Sequence, residues 1–65
     1  MYRIIYWIGG EEFLYAEYET LEEAEKDFER LTKDKTEMSD ATYLELTDEY
    51  LDEIKVFNYQ EMGYA

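Results

Sequence analysis

Sixty-five residues with no cysteine and no histidine make one domain at most, and they exclude a disulfide framework, a Cys/His zinc site and c-type haem attachment. Eighteen acids against six bases leave a net charge of −12, which disfavours contact with nucleic acid itself and with anionic membranes. A hydrophobic fraction of 46% and eight tyrosines argue against the aromatic-poor disordered tail that such a charge otherwise suggests.

In chain order, Tyr2 to Ile8 is dense in β-branched and aromatic residues and reads as a strand. The apolar run is too short for a signal peptide or for the roughly 20 residues that span a bilayer, so a cytoplasmic protein is expected. Gly9-Gly10 marks a hairpin turn, because both glycines accept positive φ. Glu12 to Tyr18 reads as the second strand. Strict alternation groups Arg3, Ile5, Trp7, Leu14, Ala16 and Tyr18 on one face, and Tyr2, Ile4, Tyr6, Ile8, Phe13, Tyr15 and Glu17 on the other. Both faces are largely apolar, more than a single helix can cover.

Thr20 to Lys33 has the helical period, with Leu21, Ala24, Phe28 and Leu31 on one face. Thr20 and Glu23 form a capping box, and Glu22–Lys26 and Glu29–Lys33 are i,i+4 pairs of the favourable orientation. Asp34 to Asp40 reads as a polar connection. Ala41 to Thr47 reads as strand three, with Leu44 and Leu46 on one face; Asp48 to Asp52 as a polar turn; Glu53 to Tyr59 as strand four. Residues 60–65 are expected to be a loose tail after a single domain over residues 1–59.

The expected fold is α+β: a small ββαββ domain with a four-stranded, mainly antiparallel sheet and one helix on one face. The expected core joins Ile5, Trp7, Leu14, Ala16, Leu44, Leu46, Ile54 and Val56 to the helix stripe. Tyr6, Phe13, Tyr15, Tyr43, Phe57 and Tyr59 then form an uncovered aromatic face. Ile4 and Ile8 would serve a core equally well, so the faces of the first hairpin can be exchanged.

Catalytic signals are weak. Ser39 is the one serine and has no histidine to activate it. Gly9-Gly10 precedes a strand rather than a helix, so no phosphate loop forms. Asp48-Glu49-Tyr50-Leu51-Asp52-Glu53 lacks the alternation and central glycine of an EF-hand loop. Ser39-Asp40 is the reverse of an acyl-carrier attachment order. Carboxylates are too many to single out a pair. The expectation is therefore no enzyme, no cofactor and no metal.

Charge placement is the surviving signal. Thr20 to Lys35 carries six acids and four bases, so the strands and turns hold nearly all of the excess. Glu11, Glu12, Glu17, Glu45, Asp48, Glu49, Asp52 and Glu53 are the candidate partner-binding acids. The six aromatic residues above are the candidate partner or dimer face. Such a surface suits a basic protein, foremost a nucleic-acid-binding enzyme, whose groove the carboxylates would occupy in place of phosphates. In length, charge and mixed plan the chain resembles the small acidic inhibitors that phages carry against host defences, among them DNA mimics, uracil-DNA glycosylase inhibitors and anti-CRISPR proteins. That resemblance implies an inhibitor of a nuclease, DNA-repair or CRISPR-type protein. The alternative is a homodimeric interaction module, or a neutraliser of a basic protein in the manner of an antitoxin.

Overall fold

A computed structural model describes residues 1–33 and 40–64. Most of the polar connection, Ser39 and Ala65 lie outside the described residues. The fold is α+β, with the elements β1 (Tyr2–Ile8), β2 (Glu11–Tyr18), α1 (Leu21–Lys33), β3 (Tyr43–Thr47), β4 (Glu53–Asn58) and β5 (Gly63–Tyr64). The strands form one antiparallel sheet in the order β2-β1-β3-β4-β5. The expected class holds, with five strands in place of four. The tail expected to be loose supplies the fifth: Gly63 and Tyr64 pair with Asn58 and Phe57. The Tyr64 ring meets Phe57 at 5.3 Å and Phe28 at 6.3 Å between centroids.

The local devices are those written in the sequence. Gly9 and Gly10 have φ of 56° and 86°, and Ile8 pairs with Glu11 around them, as a two-residue hairpin of type I′ requires. At the helix start the Thr20 hydroxyl accepts from the Glu23 amide at 3.2 Å and donates to the Glu23 carboxylate at 2.9 Å. Glu22 and Glu23 stand at the positive end of the helix dipole, Arg30 and Lys33 at the negative end.

The helix-covered face of the sheet is the reverse of the expected one in β1, in the first half of β2 and in β4, while Ala16 of β2 faces the helix as expected. The core consists of Ile4, Leu44, Leu46 and Phe57 from the sheet, Tyr59 just after β4, Ala24, Phe28 and Leu31 from α1, and Ala41. Tyr2, Tyr6, Tyr15, Tyr18 and Leu21 pack against it, half-buried. Leu44 and Leu46 lie where expected. Ile5, Trp7, Leu14, Ile54 and Val56 do not: the core excludes them, and Phe57 and Tyr59 take the place given to Ile54 and Val56.

Two β-bulges explain why simple alternation fails. Ile4 pairs with Ala16 but Ile5 pairs with Leu14, so Tyr15 is an extra residue in β2. From there Leu14 and Tyr18 lie on opposite faces rather than the same one. In β4, Leu46 pairs with Lys55 and Thr47 with Glu53, which leaves Ile54 extra. With the bulges in place, Tyr2, Ile4, Tyr6, Ala16, Tyr18, Leu44, Leu46 and Phe57 face the helix together.

Tyr59 and half-buried Tyr18 have their hydroxyls satisfied. Tyr59 donates to the Leu31 carbonyl at 2.9 Å, and burial pushes its pKa up to about 12. Tyr18 donates to the Asp27 carboxylate; its pKa is raised by burial and then by that hydrogen bond. Asp27 also accepts from Arg30 Nε at 2.8 Å, and Arg30 Nη2 reaches the Tyr15 hydroxyl at 3.1 Å. This chain ties β2 to α1.

The Tyr59→Phe variant leaves the Leu31 carbonyl without its donor and is expected to cost about 1–3 kcal/mol in urea unfolding. Tyr43→Phe, on the other face, is expected to stay within about 0.5 kcal/mol. Equal effects would contradict the placement of β4.

Candidate acidic-aromatic interface

Directly paired residues in a sheet project to the same side, so the register fixes the uncovered face as three rows across β2, β1, β3 and β4. The first row is Glu12, Trp7, Tyr43 and Asn58. The second is Leu14, Ile5, Glu45 and Val56, and the third is Glu17, Arg3, Thr47 and Glu53. Leu14, Tyr43, Glu12, Glu17 and Glu53 are exposed; Ile5, Trp7, Glu45 and Val56 are half-buried. Leu51 comes beside Arg3, Ile5 and Leu14 at the third-row end and lines a shallow hollow with them.

The eight candidate acids divide into groups. Glu12, Glu17, Glu45 and Glu53 share the open face. Asp48, Glu49 and Asp52 belong to the β3–β4 loop, at the end of the sheet opposite the Gly9-Gly10 turn where Glu11 lies. The two hairpin ends therefore do not form one acidic cluster.

Asp48 holds its loop together: its Oδ1 accepts from the amides of Tyr50 at 2.8 Å and Asp52 at 3.1 Å. Leu51 takes φ of 67° there without a glycine. Glu49 accepts from Arg3 Nη1 through its carbonyl at 3.3 Å, and its carboxylate lies 3.7 Å from the N-terminal amine.

Of the six candidate aromatics, Tyr43 alone is on the open face. Tyr6 and Phe13 stack on the helix side at 5.4 Å between centroids. Tyr15 is the bulge residue bonded to Arg30. Phe57 and Tyr59 are 6% and 2% exposed and meet edge-to-face at 5.2 Å. An aromatic face of all six does not exist, because five of them point toward the helix layer.

Trp7 is the site residue that sequence reasoning missed, having assigned it to the core. It stands on the open face next to Tyr43 and donates from Nε1 to Glu45 Oε1. The signal that finds it is the charge pattern. Once Tyr15 and Ile54 are set aside as bulges, Arg3, Glu12, Glu17, Glu45 and Glu53 all fall on the side of Trp7.

The electrostatics of this face are unbalanced. Outside the helix region the chain has two bases, Arg3 and Lys55. Arg3 Nε is held by Glu17 at 2.9 Å, and Lys55 Nζ by Glu25 of the helix at 3.0 Å. Among the described residues no ion pair reaches Glu12, Glu45 or Glu53. Glu45 is held above the usual carboxylate range, first by desolvation and then by the charges of Glu53 and Glu12, against the opposing hydrogen bond from Trp7. Trp7, Tyr43, Glu45, Glu53 and Val56 enclose a hollow of about 350 Å³.

Glu45 ionises less readily folded than unfolded, so the folded state is the better proton binder. Its full contribution is present below the unfolded carboxyl value and is lost as pH rises through the folded one. Glu45→Gln keeps an acceptor for Trp7 and is expected to raise the Tm by a few degrees at neutral pH. The gap should close as pH falls to about 4, whereas the exposed control Glu19→Gln should change little. A pH-independent gap in thermal melts would refute this account. Comparison with protein-family models, curated proteins and solved structures finds no match to the chain, so its function is argued from this face alone.

Proposed function

We propose that the protein is an inhibitory binding module whose open sheet face occupies the basic groove of a nucleic-acid-binding protein, in the manner of a nucleic-acid mimic. The observation that carries this reading is the set of uncompensated carboxylates, Glu12, Glu45 and Glu53, on a face that also presents Trp7, Tyr43, Ile5 and Leu14. Duplex DNA offers about one negative charge per 1.7 Å of axis. A sheet that carries these carboxylates on one face offers a basic groove a comparable field, and the aromatic rings add contact area at small entropic cost.

Charge also separates this partner from a second copy of the chain. Two open faces brought together would oppose like charges with two arginines in all, each already paired with Glu17. The helix is unsuited to the role: its acids and bases nearly balance, and its apolar stripe is buried. Edge-to-edge association is disfavoured too, since the outer strand β2 carries Glu11, Glu12 and Glu17.

The test is displacement. A panel of basic nucleases, DNA-repair enzymes and RNA-guided nucleases is loaded with fluorescent duplex or guide RNA at low salt. Release from at least one is expected, weakening steeply between about 50 and 200 mM salt. The variant E12K/E45K/E53K should release none, and sedimentation at micromolar concentration should show a monomer. No release from any member, or a dimer abolished by the triple variant, would overturn the reading.

A further inference from the structure

We propose that the hollow between Trp7 and Tyr43 is a socket for one arginine side chain of the basic partner. The inference rests on the reading just given and names the chemistry at its centre. Trp7 on β1 and Tyr43 on β3 occupy directly paired positions, so both aromatic side chains project from the same face and line the hollow. Val56 on β4 closes the apolar side, and the carboxylates of Glu45 and Glu53 supply the polar one. About 350 Å³ is room for a guanidinium and the end of its stem.

Each wall narrows the choice of occupant. A cation is favoured over the face of an indole more than over any other ring. Glu45 Oε1 is taken by the Trp7 N–H, which holds both the ring and the carboxylate in place before anything binds. That leaves Oε2 of Glu45 and both oxygens of Glu53 as acceptors. A planar guanidinium carries five N–H donors in a fixed fork and stacks on aromatic faces, so it can lie against the rings and donate to two carboxylates at once. A lysine ammonium is compact and strongly hydrated, and it gives up more water to enter a half-buried hollow.

Other occupants fit worse. An apolar side chain would take still more water from Glu45 without a compensating charge, which costs free energy. A nucleobase or phosphate meets the field of Glu12, Glu45 and Glu53 with the wrong sign or with none. A metal ion lacks ligands: among the described residues no group of three or more carboxylates is placed to hold one. The raised proton affinity of Glu45 agrees with a place that lacks a positive charge. An entering guanidinium supplies it, at the point where Arg3 and Lys55, both held elsewhere, do not.

Trp7 is the one tryptophan of the chain, so its emission reads the socket directly. The protein is titrated at low salt with the blocked tripeptide Gly-Arg-Gly and, separately, with Gly-Lys-Gly and Gly-citrulline-Gly. The arginine peptide is expected to give a saturable change in Trp7 emission, the lysine peptide a several-fold weaker one, and the uncharged citrulline peptide none. Glu45→Gln and Glu53→Gln should each weaken the arginine peptide at least about tenfold, while Glu19→Gln should not. Circular dichroism checks that each variant is folded, and exposed Glu53 provides the test should Glu45→Gln fail to fold.

The socket is refuted by an absent or unsaturable response, by equal binding of the arginine and lysine peptides, or by arginine binding that survives Glu53→Gln. Failure of the two readings is distinguishable. Arginine binding with no displacement from any basic enzyme sinks the mimic and leaves the socket. Displacement that persists in E45Q/E53Q without a change in Trp7 emission places the partner elsewhere and sinks the socket alone.

Discussion

Taking a carboxylate out of water without a partner costs several kcal/mol, whereas a buried tyrosine needs only one hydrogen bond for its hydroxyl. That difference orients this sheet. One side offers Trp7, Ile5, Leu14 and Val56 together with Arg3, Glu12, Glu17, Glu45 and Glu53. The other offers Ile4, Leu44, Leu46 and Phe57 with a set of tyrosines. The first side holds much apolar surface, but covering it with a helix would bury its carboxylates. The helix covers the second, and the tyrosine hydroxyls are bonded to Asp27, Arg30 and the Leu31 carbonyl. On that side Glu11 lies at the exposed hairpin end, and Lys55 reaches outward to Glu25 along its apolar stem.

Much of this was legible in the chain. The hairpin glycines, the Thr20 cap, the helix stripe and the positions of the first four strands can all be read from local rules, because each depends on residues near one another in sequence. The choice of face cannot be read by counting in twos. One extra residue at Tyr15 and another at Ile54 reverse the relation between the two ends of β2 and of β4. An aliphatic side also looks more core-like than a tyrosine side until the charges on it are counted. The short β5 escaped for a different reason: two residues carry no periodic signal, and Tyr64 is held by the rings of Phe28 and Phe57 rather than by its neighbours in sequence.

The candidate site followed the same division. Residue types were visible, and Glu12, Glu17, Glu45 and Glu53 were correctly set apart from the helix. Their company was not. Sequence proximity joined Glu12 to Glu11, and Glu53 to Asp48, Glu49 and Asp52. The register instead places Glu12 beside Trp7 and Glu45 in the next row, Glu53 lines the Trp7–Tyr43 hollow from the third row, and the loop acids lie at the far end. Asp48 shows why composition alone misleads, since its carboxylate is occupied by the amides of its own loop.

The domain therefore separates its stabilising charges from its destabilising ones. Charges on α1 are arranged to help the helix: acids at its start, bases at its end, and Glu25 and Asp27 bonded to side chains beyond their own turn. On the open face Glu12 and Glu53 have no ion pair among the described residues, and desolvated Glu45 opposes folding as it ionises, in a chain whose size leaves a thin margin. A fold selected for stability alone would neutralise them, and Glu45→Gln retains the Trp7 hydrogen bond at no evident structural cost. A cation bound by these carboxylates in the folded state alone would offset that cost, because such binding adds to stability. On that argument the least favourable part of the electrostatics is the face to which we assign the proposed partner.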